Sequence, residues 1–182
     1  MLEQLELRHF KCFEKLDLPL APLTLLSGSN ASGKSSVLQA LVLLHQTIRE
    51  HEWSIRLMLN GGAVQLGTVL DVVDKVHGRR HLEVGLVEGA STLRWTFHGD
   101  REEMSMATER VQLDGVDFVD PPALRHLLPP DQYESASSFA MRLRDLTYVT
   151  AERVGPREIY ALEDRQTARV IGPRGEHTLS VL

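Results

Sequence analysis

LTLLSGSNASGKSSVLQALVLL, residues 23–44, is the stretch that decides the fold. Residues 23–27 are a short apolar run, the pattern of a buried strand. Residues 28–33 are small, polar and bounded by glycine. From Lys34 an apolar helix is expected to run to about Glu50. The pattern G-x-x-x-x-G-K-[ST] is matched in full by Gly28, Ser29, Asn30, Ala31, Ser32, Gly33, Lys34 and Ser35. Glycine at both ends permits backbone angles that a side chain forbids. The loop can then turn its N–H groups inward around phosphates, and the helix N-terminus adds positive potential. Lys34 is expected to reach the β- and γ-phosphates, and the Ser35 hydroxyl to ligate Mg²⁺. Chance alone gives this pattern in roughly one chain in a few hundred. The order strand, loop, helix is the context the motif requires.

Working outward, residues 2–9 and 14–20 alternate and read as strands, with Pro19 suggesting a sheet edge. The helix after the loop is apolar on most sides in its first turns, as for a helix clamped inside a fold. Asn60-Gly61-Gly62 is a turn signal, and residues 68–76 suggest a short helix. Residues 81–88, 91–98 and 104–113 read as three strands separated by Glu88-Gly89 and Gly99-Asp100, an antiparallel meander. The segment between Pro121-Pro122 and Pro129-Pro130 is expected to be partly helical, residues 135–144 helical, and residues 146–150 a central strand.

The 182 residues suffice for one domain with a core. Apolar content of 42% and charged content of 25% are ordinary for a globular protein. A formal net charge of −5 argues against a basic nucleic-acid coat, though not against a local basic patch. The single cysteine, Cys12, allows no internal disulfide and points to a reduced, cytoplasmic setting, with Cys12 as a small core residue beside Phe13. The acidic, alternating N-terminus is no signal peptide, and no apolar run is long enough to span a bilayer.

The run LRHFKCFEKLDLPLAPLTLLSGSNASGKSSVLQAL, residues 7–41, resembles the amino-terminal lobe of the SMC, RecF and OLD-type ATPases, the ABC-class soluble ATPases. Asn30, Ser32 and the doubled Ser35-Ser36 favour that group over adenylate-type kinases and GTPases. LNGGAVQLGT and YVTAERVGPR resemble a bacterial subgroup of such ATPases, less specifically. The resemblance implies an α/β P-loop NTPase lobe with a mixed sheet beside the antiparallel meander. It implies ATP and Mg²⁺ as ligands, bound by residues 28–36. It also implies a composite site between two heads, so a homodimer is expected, with DNA as a further partner and no membrane. One head gives the phosphate loop, the acidic strand and the catalytic glutamate; the other gives a signature loop.

Two parts of that pattern are missing. No four apolar residues precede an Asp-Glu pair, and there is no L-S-G-G loop. Glu152, after residues 146–151, is the nearest imitation of the catalytic base; its ordinary reading is an ion-paired strand end. The chain therefore reads as a partial head: residues 1–50 with strands, phosphate loop and helix, residues 51–120 with the glycine turn, short helix and meander, and residues 121–182 with a helical linker, central strand and tail. By the same resemblance, Gln65 falls where such heads place a glutamine near the metal-bound water. Lys11, between Phe10 and Phe13, falls where they place a basic residue near the nucleotide. Both are otherwise ordinary surface residues. Arg153 and Arg157 could face phosphate, a partner head or DNA, with surface ion pairs as the default. His77 and His81 lack a metal-ligand set, and Trp53 and Trp95 read as packing residues.

The functional expectation is an ATPase head that switches a larger machine in DNA maintenance or phage defence. The alternative is a nucleotide-binding and dimerisation module with no hydrolysis of its own. A GTPase would need Asn-Lys-x-Asp, and the only asparagines, Asn30 and Asn60, precede Ala and Gly. A kinase would need an Arg-rich lid, which the meander fits poorly.

Overall fold

A computed structural model describes residues 1–74 and 79–150. Two units are distinguished, Met1–Arg144 and Asp145–Leu182. The first contains all the secondary structure given below. Of the second, only residues 145–150 are described, and they carry no strand, so the expected central strand at 146–150 is not formed there.

The first unit is built on β1 (Gln4–Phe10), β2 (Phe13–Pro19), β3 (Arg56–Met58), β4 (His81–Glu88), β5 (Ser91–His98), β6 (Ser105–Leu113) and β7 (Val116–Val119). They form one sheet in the order β2-β1-β4-β5-β6-β3, with β7 also on β6. All pairings are antiparallel, which corrects the mixed sheet expected from the sequence. The meander falls where the alternation placed it, and β2 lies at an edge, as Pro19 suggested. Leu5, Leu7, Leu82, Val84, Leu86, Leu93, Trp95 and Phe97 project from successive strands into one core and are almost fully buried. Their period of two is what the sheet pleat demands.

The helix α1 (Lys34–Glu50) covers that core. Every residue from Val42 to Ile48 is buried, because the sheet lies on one side and α3 (Tyr133–Arg144) on another. Buried polar residues on α1 hold the short strand β3 at its free side. Gln46 Nε2 donates to Met58 O at 3.0 Å, and Met58 N donates to Thr47 Oγ1 at 3.0 Å. On the same side Ser54 Oγ donates to Arg56 O at 2.9 Å and accepts from Arg56 N at 3.0 Å, and β6 pairs with β3 on the other, so a three-residue strand is satisfied on both sides.

Several expectations need correction. Residues 23–27 form no strand, and Leu23 and Leu25 are 75% and 82% exposed. The short helix α2 spans only Val69–Val72. Between the two Pro-Pro pairs there is no helix; a single 3₁₀ turn, Pro130–Gln132, follows. That segment instead buries Leu124, Leu127 and Leu128, and Leu127 O accepts a hydrogen bond from Trp95 Nε1 at 2.8 Å. Trp95 is thus the core residue expected. Trp53 is 61% exposed and lies 6.0 Å from the Arg125 guanidinium. Cys12 is exposed rather than a core residue. Among the described residues no helix is long and apolar enough to cross a membrane.

His45 links α1 to the end of α3: its Nδ1 donates to Leu143 O at 2.7 Å. Burial is the main cause that lowers its pKa, opposed by the Leu143 hydrogen bond. The unfolded chain therefore takes up a proton near the ordinary histidine value while the folded chain resists it. Stability is unaffected well above that value and is lost as pH falls through it. Thermal melts at pH 7.5 and 5.5 should show a drop for the native chain and a smaller drop for His45→Gln, which keeps a neutral donor. An equal drop in both would rule His45 out as a source.

Candidate functional site

The candidate phosphate loop, residues 28–33, joins the extended segment 22–27 to α1. Gly28 has φ +153, Ala31 +62 and Gly33 +89. A Cβ at Gly28 would lie 2.9 Å from Ser32 Oγ. One at Gly33 would lie 2.6 Å from Phe13 Cζ and 2.7 Å from Cys12 Sγ. These glycines are required for two reasons: a left-handed backbone at Gly33, and no room for a side chain at either position.

Gly33 is the N-cap of α1 and supplies no side-chain cap, and the first turn carries no acidic residue. The first backbone amides of the helix therefore point out of its N-terminus uncapped, with the helix dipole behind them. Lys34 folds back across the loop. Its Nζ donates to Gly28 O at 2.9 Å, Ser29 O at 2.6 Å and Ser32 Oγ at 3.3 Å. Ser29, Asn30, Ala31, Ser32 and Ser35 are exposed, and Ser36 is half-buried. The exposed loop thus ends on the uncapped amides of α1, one cation and two hydroxyls, groups suited to an anion with several oxygens.

The β1–β2 turn forms one wall of the site. Phe10 pairs with Phe13, leaving Lys11 and Cys12 as a two-residue loop. Cys12 and Phe13 press on Gly33. Lys11 has φ +52, its N–H donates to Val72 O at 2.8 Å, and its Nζ donates to Gln39 Oε1 at 2.7 Å. The structure therefore brings Lys11 to the same end of α1 as Lys34 and Ser35. The sequence did not flag Gln39 or the contact of Cys12 and Phe13 with Gly33. The one available signal was that Gln39 follows Ser35 by four residues, on the same helical face.

Gln65 lies elsewhere. It is exposed and bridged to Asn60. Its loop is fastened to the far half of α1, where Val64 N donates to Gln46 Oε1 at 3.0 Å and Gly62 N to Glu50 Oε1 at 3.1 Å. Gln46 is about 18 Å along the helix from Lys34. Glu152, Arg153, Arg157 and His77 lie outside the described residues. His81 stacks edge-on against His9 at 5.1 Å, and burial is the first cause that lowers the His9 pKa, followed by the charges of Arg79 and His81. No group of three or more His, Cys, Asp or Glu among the described residues could hold a metal by itself.

Residues 1–103 match the protein-family model described as an AAA ATPase domain. The OLD nuclease of Thermus scotoductus is 46% identical over 44 residues, which is 24% of this chain and 8% of that protein. The DNA replication and repair protein RecF of Limosilactobacillus fermentum is 36% identical over 90 residues, 46% of this chain and 22% of that protein. The chain thus spans less than a quarter of the length of either of these curated relatives. No solved structure gives a significant match.

Proposed function

The chain belongs to the AAA ATPase domain family, and from that premise we propose that it is the ATP-binding amino-terminal portion of an ABC/SMC-like ATPase head, a cytoplasmic switch or motor in DNA maintenance or phage defence. The observation that carries the reading is the loop itself: Gly28 and Gly33 leave space that any Cβ would fill, at the uncapped N-terminus of α1, with Lys34 held over the loop.

A triphosphate fits this donor set. The amides at the start of α1 bind and orient its oxygens, and Lys34 exchanges its bonds to Gly28 O and Ser29 O for phosphate. Ser35 is the residue that would hold Mg²⁺. Mg²⁺ in such a site neutralises charge that develops on the phosphates. Lys11 adds a second cation at the same end of the helix.

Turnover needs more than this. A water must be oriented by a base, and the metal shell needs a further ligand. Among the described residues no carboxylate hydrogen-bonds to the phosphate loop or to Lys34. The backbone of residues 22–27 also finds no hydrogen-bond partner among them, while Leu23 and Leu25 stand exposed at alternate positions. An extended segment of that kind is a template for another strand, which supports a head completed by further polypeptide and by a second head. The same observation favours the alternative for the chain alone, a binding and dimerisation module without hydrolysis.

Calorimetric titration with Mg-ATP and a phosphate-release assay on the full chain, beside Lys34→Ala and Glu152→Gln, test the partial-head reading. The expected result is ATP binding with negligible turnover. Robust turnover, lost in both variants, would overturn the partial-head reading and make Glu152 the base.

A further inference from the structure

Lys11 and Gln39 are separated by 28 residues in sequence yet share a 2.7 Å hydrogen bond. The backbone around Lys11 is fixed from several directions. Phe10 pairs with Phe13 and bridges to Val73, Lys11 N donates to Val72 O, and Asp74 N donates to His9 O at 2.9 Å. The next two residues abut Gly33. A lysine in the left-handed region, at φ +52, is strained, and these contacts are what hold it there.

The long, flexible lysine side chain is not fixed by its backbone. Its direction is set by the groups that bind its ammonium, and Gln39 Oε1 is one of them. Gln39 follows Ser35 by one turn on the same face of α1. The bond therefore places the Lys11 charge on the Ser35 side of the helix, beside the loop that Cys12 and Phe13 brace.

We propose that Gln39 is a positioning residue that holds the Lys11 ammonium at the phosphate-loop end of α1, so that the two residues act as one unit on the phosphates of the bound nucleotide. The inference rests on the ATP-binding reading above. Gln39 itself touches no phosphate and acts through Lys11.

A double-mutant cycle on the full chain tests this, with ATP, AMP and adenosine as probes in titration calorimetry. Lys11→Met and Gln39→Leu should each weaken ATP binding by about five- to tenfold, the worth of one charge-assisted hydrogen bond. The double variant should be no weaker than Lys11→Met alone, because the second change removes a prop for a charge already gone. The loss should shrink for AMP and vanish for adenosine. Gln39→Glu, which keeps an acceptor at the same reach, should stay within about threefold of the native chain. A merely structural role for Gln39 would instead give additive losses that do not depend on the number of phosphates. Additive losses, or native affinity in either single variant, overturn the inference while native ATP binding and its loss in Lys34→Ala keep the phosphate-loop reading standing. No ATP binding by the native chain would overturn both. If Gln39→Leu does not fold, as judged by its thermal melt, Gln39→Ala takes its place in the cycle.

Discussion

Lys34→Ala is expected to weaken Mg-ATP binding by at least about a hundredfold while the fold survives. The Nζ of Lys34 reaches two carbonyls and one hydroxyl of the phosphate loop, so it is already at the place where phosphate oxygens would sit. Each charge-assisted hydrogen bond to phosphate contributes about 1.5–3 kcal/mol. Two such bonds lost give the expected factor. The lysine is not among the buried core residues, and the helix behind it is fixed by Val37, Ala40 and the buried run from Val42 to Ile48. Melting temperature should therefore move by only a few degrees. Calorimetric titration with Mg-ATP is the check, and equal affinity in native and variant chains would remove the site.

The second large effect is expected from Gly33→Ala. At φ +89 an alanine strains the backbone, about 1–2 kcal/mol. Its Cβ would also meet Phe13 Cζ at 2.6 Å and Cys12 Sγ at 2.7 Å, and overpacking of that kind costs about 1–3 kcal/mol. The variant should lose about 2–5 kcal/mol of stability in denaturant unfolding and bind nucleotide poorly, since relief requires the loop or the β1–β2 turn to move. Gly115→Ala is the control: Gly115 has φ +85 with nothing near the added Cβ, so it carries the strain without the crowding. Equal losses in both would show that the turn does not press on the loop.

The two halves of this site differ in how readable they are. The proposed phosphate loop is local: its glycines, lysine and serine obey a spacing that backbone geometry imposes, and α1 after it starts and stops where the sequence placed it. The meander is local too, because alternation and tight turns repeat over a few residues. What stayed hidden depends on distant partners. β3 is three residues long and has no alternation to see; it exists because Gln46 and Thr47 satisfy its free side. β7 is four residues with little burial. The apolar run at residues 23–27 has the composition of a buried strand, but a strand needs a hydrogen-bonding neighbour, and the described residues provide none; within the run Leu26 alone packs against their core. Trp53 shows the same limit from the other side, since its size suggested packing, yet it stands exposed beside the half-buried Arg125. Lys11 could be named from the resemblance, but not the glutamine that holds it.

The placement of β1 has a kinetic consequence. It is an interior strand, with β2 on one side and β4 on the other, and Gln4 pairs with Val87. During synthesis the β1–β2 hairpin can close early, since its turn is two residues long. Its other side stays unpaired until β4 has left the ribosome. The phosphate loop and α1 lie inside the long loop that this pairing closes, and such closure carries an entropy penalty before any contact repays it. The proposed nucleotide site is thus encoded near the amino terminus but is expected to reach its final form only after the first strand of the meander has docked, so a nascent chain halted before β4 would carry the complete motif without the sheet that holds it.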